Sequence, residues 1–392
     1  MRQKMVWFIL GVLVGSLFVV SAQPTGSYIS ESNIQYTTPT IQKIPGDGYT
    51  TMILYTPTGL PLNVKDVQKA VKEFVLKSAP NAKWHVYAVP ELPKGTVLTG
   101  YGIKVTKDGR VNILIITTER GSLTRPLKPL NELEKWSKTL PKFPQDISLG
   151  EIGLPKGWSA KAIDSAGNTK VYSGESSPYW HPFGSLEIRK IDPPYGNLYA
   201  KFYMYGLWND GDPNWETFLA GPGDGAVYRI TPGYGLRETG DTDYGNFVTY
   251  RAKIIHNWNL DSALDPHLEL AKPIIEDGMY KGHSQVSVTI SGTPSFTFTT
   301  TIPDYEMDPV ADTRLQRAVW LMKFNTKSRD SKYSFGTMVA SSARVNQSVL
   351  HDGKWHNIVS VSMWAKLEAC VPSSICVYQE ISSGVVWMVK VG

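Results

Sequence analysis

Residues 358–368 read IVSVSMWAKLE: Val359, Val361, Met363, Ala365 and Leu367 alternate with Ser360, Ser362, Trp364, Lys366 and Glu368. Successive side chains of a strand point to opposite faces, so this period of two predicts a strand with one apolar face and one mostly wet face. Two cysteines, Cys370 and Cys376, follow and enclose VPSSI, and a second strand-like run, VVWMVKV, occupies 385–391. The cysteines therefore fall at the tip of a hairpin. In an exported chain such a pair reads as a disulfide rather than a metal or redox site, because no CxxC is present. Across so short a loop the crosslink adds about 2 kcal/mol by restricting the unfolded chain.

The same grammar extends upstream. GSLEIRKI (184–191), NLYAKFYMYGLW (197–208), AVYRI (226–230), NFVTYRAKII (246–255), QVSVTISG (285–292) and SFTFTTTI (295–302) alternate with clusters of Gly, Pro, Asp and Asn. Short strands at this density predict a mainly antiparallel β-sandwich over 154–392, of jelly-roll or concanavalin-like type. DTRLQRAVWLMKF (312–324) fits a helix capped by Asp312 and a buried strand equally well.

Residues 49–145 differ. TTMILY (50–55) is strand-like, and NVKDVQKAVKEFVLKSA (63–79) starts at the cap Asn63 and sets Val64, Val67, Val71, Phe74 and Val75 on one helical face. KWHVYAV (83–89) and a hairpin turning at Asp108-Gly109 follow, then a second helix, NELEKWSKTL (131–140), stopped by Pro141. The expectation is a small α+β domain at 49–145, separate from the sandwich.

Residues 23–48 are rich in Ser, Thr, Pro and Gly and read as an extended leader or linker, or as a strand given to a neighbouring molecule. Residues 1–22 carry Arg2 and Lys4, an uncharged run from Met5 to Val20, and the exit Ser21-Ala22. That is the pattern of a secretory signal peptide, with an uncleaved membrane anchor as the alternative. Removal of residues 1–22 changes the formal charge from +5 to 40 − 2 − 35 = +3. No basic run suits a phosphate backbone, which argues against a nucleic-acid partner. The expected location is secreted or at the cell surface, and the richness in Pro, Tyr, Trp, Lys and Glu resembles secreted proteins of thermophilic archaea.

LWNDGDPNWETF (207–218) offers Asp210, Asp212 and Asn214 at alternate positions, the spacing at which side chains converge on Ca²⁺. Trp215 stands where the calcium hand needs Gly, and Gly221 where it needs a bidentate Glu, so the helix–loop–helix version is excluded. A β-loop calcium site and a plain polar turn remain. The same region is crowded with aromatic rings, and Tyr179, Trp180, Tyr205, Trp208 and Trp215 are the candidates for stacking on a sugar. HExxH and GxSxG are absent. Glu187, Glu216 and Asp224 are carboxylates that a sheet could bring together for acid–base work, without a spacing that singles them out.

HDGKWHNIVSVSM (351–363) resembles the strand-opening segment of laminin-G-like and concanavalin-like sandwiches. The resemblance implies a turn at Asp352-Gly353 and a packed Trp355, in a family that binds glycans or proteins, often with calcium. The E-x-D-x-x-E strand of its glycosidase relatives is absent. The leading expectation is an exported glycan-binding or adhesion protein that contacts a glycan or a cell-surface protein. The alternatives are a secreted glycosidase or carboxylate peptidase with 49–145 as prosegment, and a filament subunit assembled by strand addition.

Overall fold

A computed structural model describes residues 36–119, 129–141, 143, 158–160, 179–192, 196–208, 212–230, 236–237, 247–272, 284–290, 296–302, 305–327, 331, 337–370 and 376–392. In chain order the elements are β1 (Thr40–Pro45), β2 (Tyr49–Tyr55), α1 (Val64–Ser78), β3 (Trp84–Glu91), β4 (Thr96–Thr106), β5 (Val111–Glu119), α2 (Pro129–Ser137) and β6 (Trp158–Ala160). Then come β7 (Tyr179–Asp192), β8 (Gly196–Trp208), β9 (Trp215–Ile230), β10 (Leu236–Arg237), β11 (Val248–Asn257), β12 (His267–Lys272), β13 (Ser284–Ile290) and β14 (Phe296–Ile302). The chain ends with β15 (Tyr305–Asp312), β16 (Arg317–Phe324), β17 (Thr337–Asn346), α3 (Gln347–Leu350), β18 (His356–Cys370) and β19 (Cys376–Val391).

The strands form a large sheet in the order β1-β2-β4-β5-β7-β8-β9-β17-β12, a six-stranded sheet β15-β16-β11-β18-β19-β3, and a small sheet β13-β14-β6. All named pairings are antiparallel except β5 with β7. The first two sheets pack face to face through one apolar core that includes Phe202, Met204 and Phe218 from one side and Trp320, Val361 and Trp387 from the other. The chain is thus an α+β section followed by a mainly antiparallel β-sandwich, as expected from the sequence.

The α+β section is not set apart by its hydrogen bonding. β3 is an edge strand of the six-stranded sheet through its pairing with β19, and β5 lies beside β7 in the large one. The expected sections 49–145 and 154–392 share both sheets and fall in one compact unit, Gln35–Gly392. The reason is in β4, whose residues Thr96–Val105 are all buried. A strand hidden on both faces needs a cover on each. Val67, Val71, Phe74 and Val75 of α1 enter the main core, while Leu133 and Trp136 of α2 pack on Ile53, Leu114 and Ile116 from the other side. α2 comes so close that a Cβ on Gly102 would lie 2.6 Å from the Trp136 ring.

Asn63 caps α1 as expected, accepting from the Lys65 N–H at 2.9 Å. Helix α2 starts at Pro129, before the expected Asn131, and stops at Ser137, short of Pro141. Its end is held by Lys104, a fully buried cation whose Nζ donates to the carbonyls of Trp136 (2.7 Å) and Thr139 and to Thr139 Oγ1 (3.0 Å). Positive charge at a helix C-terminus is favourable. Desolvation nonetheless lowers the lysine to about 8.

The last part of the expected leader is folded. Thr40–Pro45 forms β1 and pairs with β2, so these residues are used within the chain, and the linker reading holds for neither them nor strand donation by them. Residues 1–35, with the expected signal, lie outside the described residues. Residues 317–324 are strand β16, which decides the ambiguity at 312–324; Asp312 instead caps the preceding turn, accepting from the N–H groups of Arg314 and Leu315.

Candidate functional site

The aromatic candidates do not form a platform. Trp180 and Tyr205 are each 1% exposed and belong to the core, so neither can offer a ring face to a sugar. The parity of β8 sets Tyr205 opposite Phe202 and Met204, and both faces of the strand are buried at this point. Trp208 is partly buried and stacks on His181, with ring centroids 3.9 Å apart. Trp215 keeps some exposure, but the Arg344 guanidinium lies 4.8 Å from its centre and the His267 ring meets it edge-on at 5.1 Å. For Tyr179 only the backbone is described; it pairs with Trp208 in register.

The calcium spacing resolves into a turn where it is described. Asp212 Oδ1 accepts from the Asn214 N–H at 2.9 Å, and the Asn214 carbonyl accepts from the Gln347 N–H. This is the local bonding by which Asp and Asn set turns. Asp210 lies outside the described residues.

Among the carboxylate candidates, Glu187 and Glu216 have partners of their own. Glu187 pairs with Arg189, which also reaches Glu132 at 2.6 Å. Glu216 accepts from Gln347 Nε2 at 3.0 Å and lies 3.2 Å from His351 Nε2. The side chain of Asp224 lies outside the described residues. Near His351, His356 is held between Asp261 and Asp352, each 3.0 Å from one ring nitrogen. Bonds from Lys354 and His356 keep Asp352 below the usual carboxylate range. These residues tie the α3 turn and the start of β18 to neighbouring loops. The Asp352-Gly353 turn is present, with Gly353 at φ 77°, and Trp355 packs edge-on against Tyr87 at 4.7 Å.

A serine–histidine pair that motif reading could not find lies in the core. Ser341 Oγ on β17 is 2.8 Å from His256 Nδ1 on β11 and accepts from Trp258 Nε1 at 2.9 Å. The indole N–H donates to Ser341 Oγ, which keeps a proton and a second lone pair for its bond to His256 Nδ1. Burial lowers His256 to about 3. Both residues are 0% exposed, so this pair is a tie between the sheets and not a nucleophile facing substrate. A second tie is Lys190, which bonds Glu119, Thr96 Oγ1 (2.9 Å) and the Ser382 carbonyl (3.1 Å). A groove of about 280 Å³ opens between β1 and α1, floored by Met52 and Phe74 and rimmed by Lys43, Lys69, Asp66 and Glu73. It brings together none of the residues named as candidates.

A different surface gathers exposed rings and polar groups. The outer face of the six-stranded sheet carries Tyr250, Trp364 and Tyr378, all partly or largely exposed. Each has a cation over its ring: Arg251 at 5.0 Å from Tyr250, Lys253 at 4.8 Å from Trp364, and Lys366 at 4.3 Å from Tyr378. Trp364 Nε1 donates to Glu380 at 3.1 Å. Its cross-strand neighbours are Lys253 on β11 and the small Ser382 on β19. Tyr378 bonds to Glu368, which raises the hydroxyl above its ordinary range. The Cys370–Cys376 disulfide closes the hairpin that carries two of the three rings.

The sequence contained the signal for this surface in the wet face of 358–368, where Trp364 stands among Ser362, Lys366 and Glu368. Aromatic density pointed to 179–215 instead. No family model matches this chain, and a search of curated proteins finds no similar one.

Proposed function

We propose that this chain is an exported, cell-surface or extracellular protein that binds glycans, and that the outer face of the six-stranded sheet is its contact surface. The observation that carries the proposal is Trp364: a partly exposed ring on the broad face of a sheet, whose Nε1 donates to Glu380, with Lys253 4.8 Å from its centre and the small Ser382 in register on the next strand. A flat aromatic ring bordered by charged donors and acceptors meets both needs of a sugar, an apolar stacking face and hydrogen bonds at the rim. The disulfide and the signal-like residues 1–22 support an exported location. Among the described residues no helix is long and apolar enough to cross a membrane.

The direct test is a glycan array probed with the protein and with Trp364→Ala. The expected outcome is retention on a defined set of glycans and a loss of about tenfold in affinity for the variant, equivalent to about 1.4 kcal/mol. Absence of retention on any glycan would sink the proposal.

A further inference from the structure

Strand register shows something the aromatic rings alone do not. Arg251 on β11 stands directly opposite Lys323 on β16 and, on its other side, opposite Lys366 on β18. Three cations therefore occupy neighbouring positions in one row across three strands, and Lys253 sits in the next row on the same face. None of the four forms an ion pair among the described residues. Like charges directly opposite one another on a sheet are destabilising. Glu380, in register with Lys366, ends the row on one side and accepts from Trp364 Nε1, and Glu306 ends it on the other in register with Lys323, so the row carries more positive than negative groups.

We infer that this surface takes a carboxylate-bearing glycan, with the acidic group placed on Arg251 between Lys323 and Lys366 and the sugar ring on Trp364. The inference rests on the glycan reading above and adds the substrate class. The geometry suits it. Same-face residues along a strand are separated by about 7 Å, so a pyranose stacked on Trp364 can extend its carboxylate to the adjacent row. Arg251 offers the planar fork that matches a carboxylate bidentately, and the two lysines add charge on either side. The anion relieves the repulsion within the row, so discrimination against a neutral sugar comes from the protein's unliganded state as well as from the new bonds.

The test uses the full protein on an array of matched pairs, galacturonides against galactosides and glucuronides against glucosides, with poly-glutamate as a polyanion that has no sugar. The variants are Arg251→Gln, Lys366→Gln and Trp364→Ala, all at exposed or partly exposed positions, with thermal unfolding measured alongside. The expected result is retention on the acidic members at least tenfold stronger than on the neutral ones. Arg251→Gln and Lys366→Gln should abolish that preference without lowering the unfolding midpoint, since each removes repulsion from the row, while Trp364→Ala weakens both members of a pair. Equal retention on acidic and neutral members, or on neutral members alone, overturns the charge inference and leaves the glycan reading standing. Retention on poly-glutamate equal to that on the acidic glycans overturns the inference, because charge without a sugar then suffices. No retention anywhere overturns both.

Discussion

Two stretches of this chain carry aromatic residues that the fold treats in opposite ways: 179–215 on the large sheet, dense in rings, and 364–378 on the six-stranded sheet, which holds only Trp364 and Tyr378. Trp180 and Tyr205 are almost fully buried, whereas Trp364 and Tyr378 remain partly open to water. Aromatic density favours the first stretch, yet it does not say which rings stay open to water. What does is whether the second face of the sheet is covered. Around Tyr205 both faces are buried, so either parity leads to a core. Around Trp364 one parity, Val361, Met363 and Ala365, faces the core and the other faces solvent.

The largest expected effect breaks this contrast at its buried end. Trp180→Ala should destabilise the protein by about 3–5 kcal/mol, the range for deleting a large buried aromatic side chain, read as a lower denaturant midpoint. Trp364→Ala should shift the same midpoint by less than about 1 kcal/mol while losing glycan retention. Comparable losses of stability would show that the two regions are not different in kind.

The next effect concerns the doubly covered part of the large sheet. Lys104 titrates at about 8 when folded, below the ordinary lysine value of 10.5. Between those values the unfolded chain holds a proton that the folded chain has released, so stability should rise with pH across this window, by at most about 3 kcal/mol. Tyr87 opposes the trend above its ordinary value of 10.0, because burial pushes it up to about 12 and the folded state then retains the proton. A stability maximum near pH 10 is expected, reached by a rise that Lys104→Met removes. Unchanged pH dependence in that variant would locate the rise elsewhere.

The smaller effect sharpens the exposed end. Replacing Cys370 and Cys376 together by Ser should lower stability by about 2 kcal/mol and weaken glycan retention, since the disulfide closes the hairpin that carries both Trp364 and Tyr378. Lower stability with unchanged retention would show that the pairing of β18 with β19 holds the rings without the crosslink.

Much of the fold was legible because it is written at short range. The cap at Asn63, the face of α1, the turn at Asp108-Gly109 and the alternation of β18 each depend on residues a few positions apart. The division into two domains was misleading for the opposite reason. Helices in one section and strands in the other suggest separate cores, but β3 joins β19 nearly three hundred residues later and β5 joins β7. Edge pairing of this kind leaves no local pattern, because a strand's own residues do not say which strand it will lie against.

The sequence by itself determined the strand-rich class, the position of the disulfide and the alternation that leaves Trp364 on a wet face. These follow from backbone period and side-chain polarity. Only the tertiary structure decided that Trp180 and Tyr205 are core, that Ser341 and His256 meet across two sheets, and that Lys323, Arg251 and Lys366 form one row. Each of these depends on strand register and on which faces are covered, and both are set by contacts between distant segments.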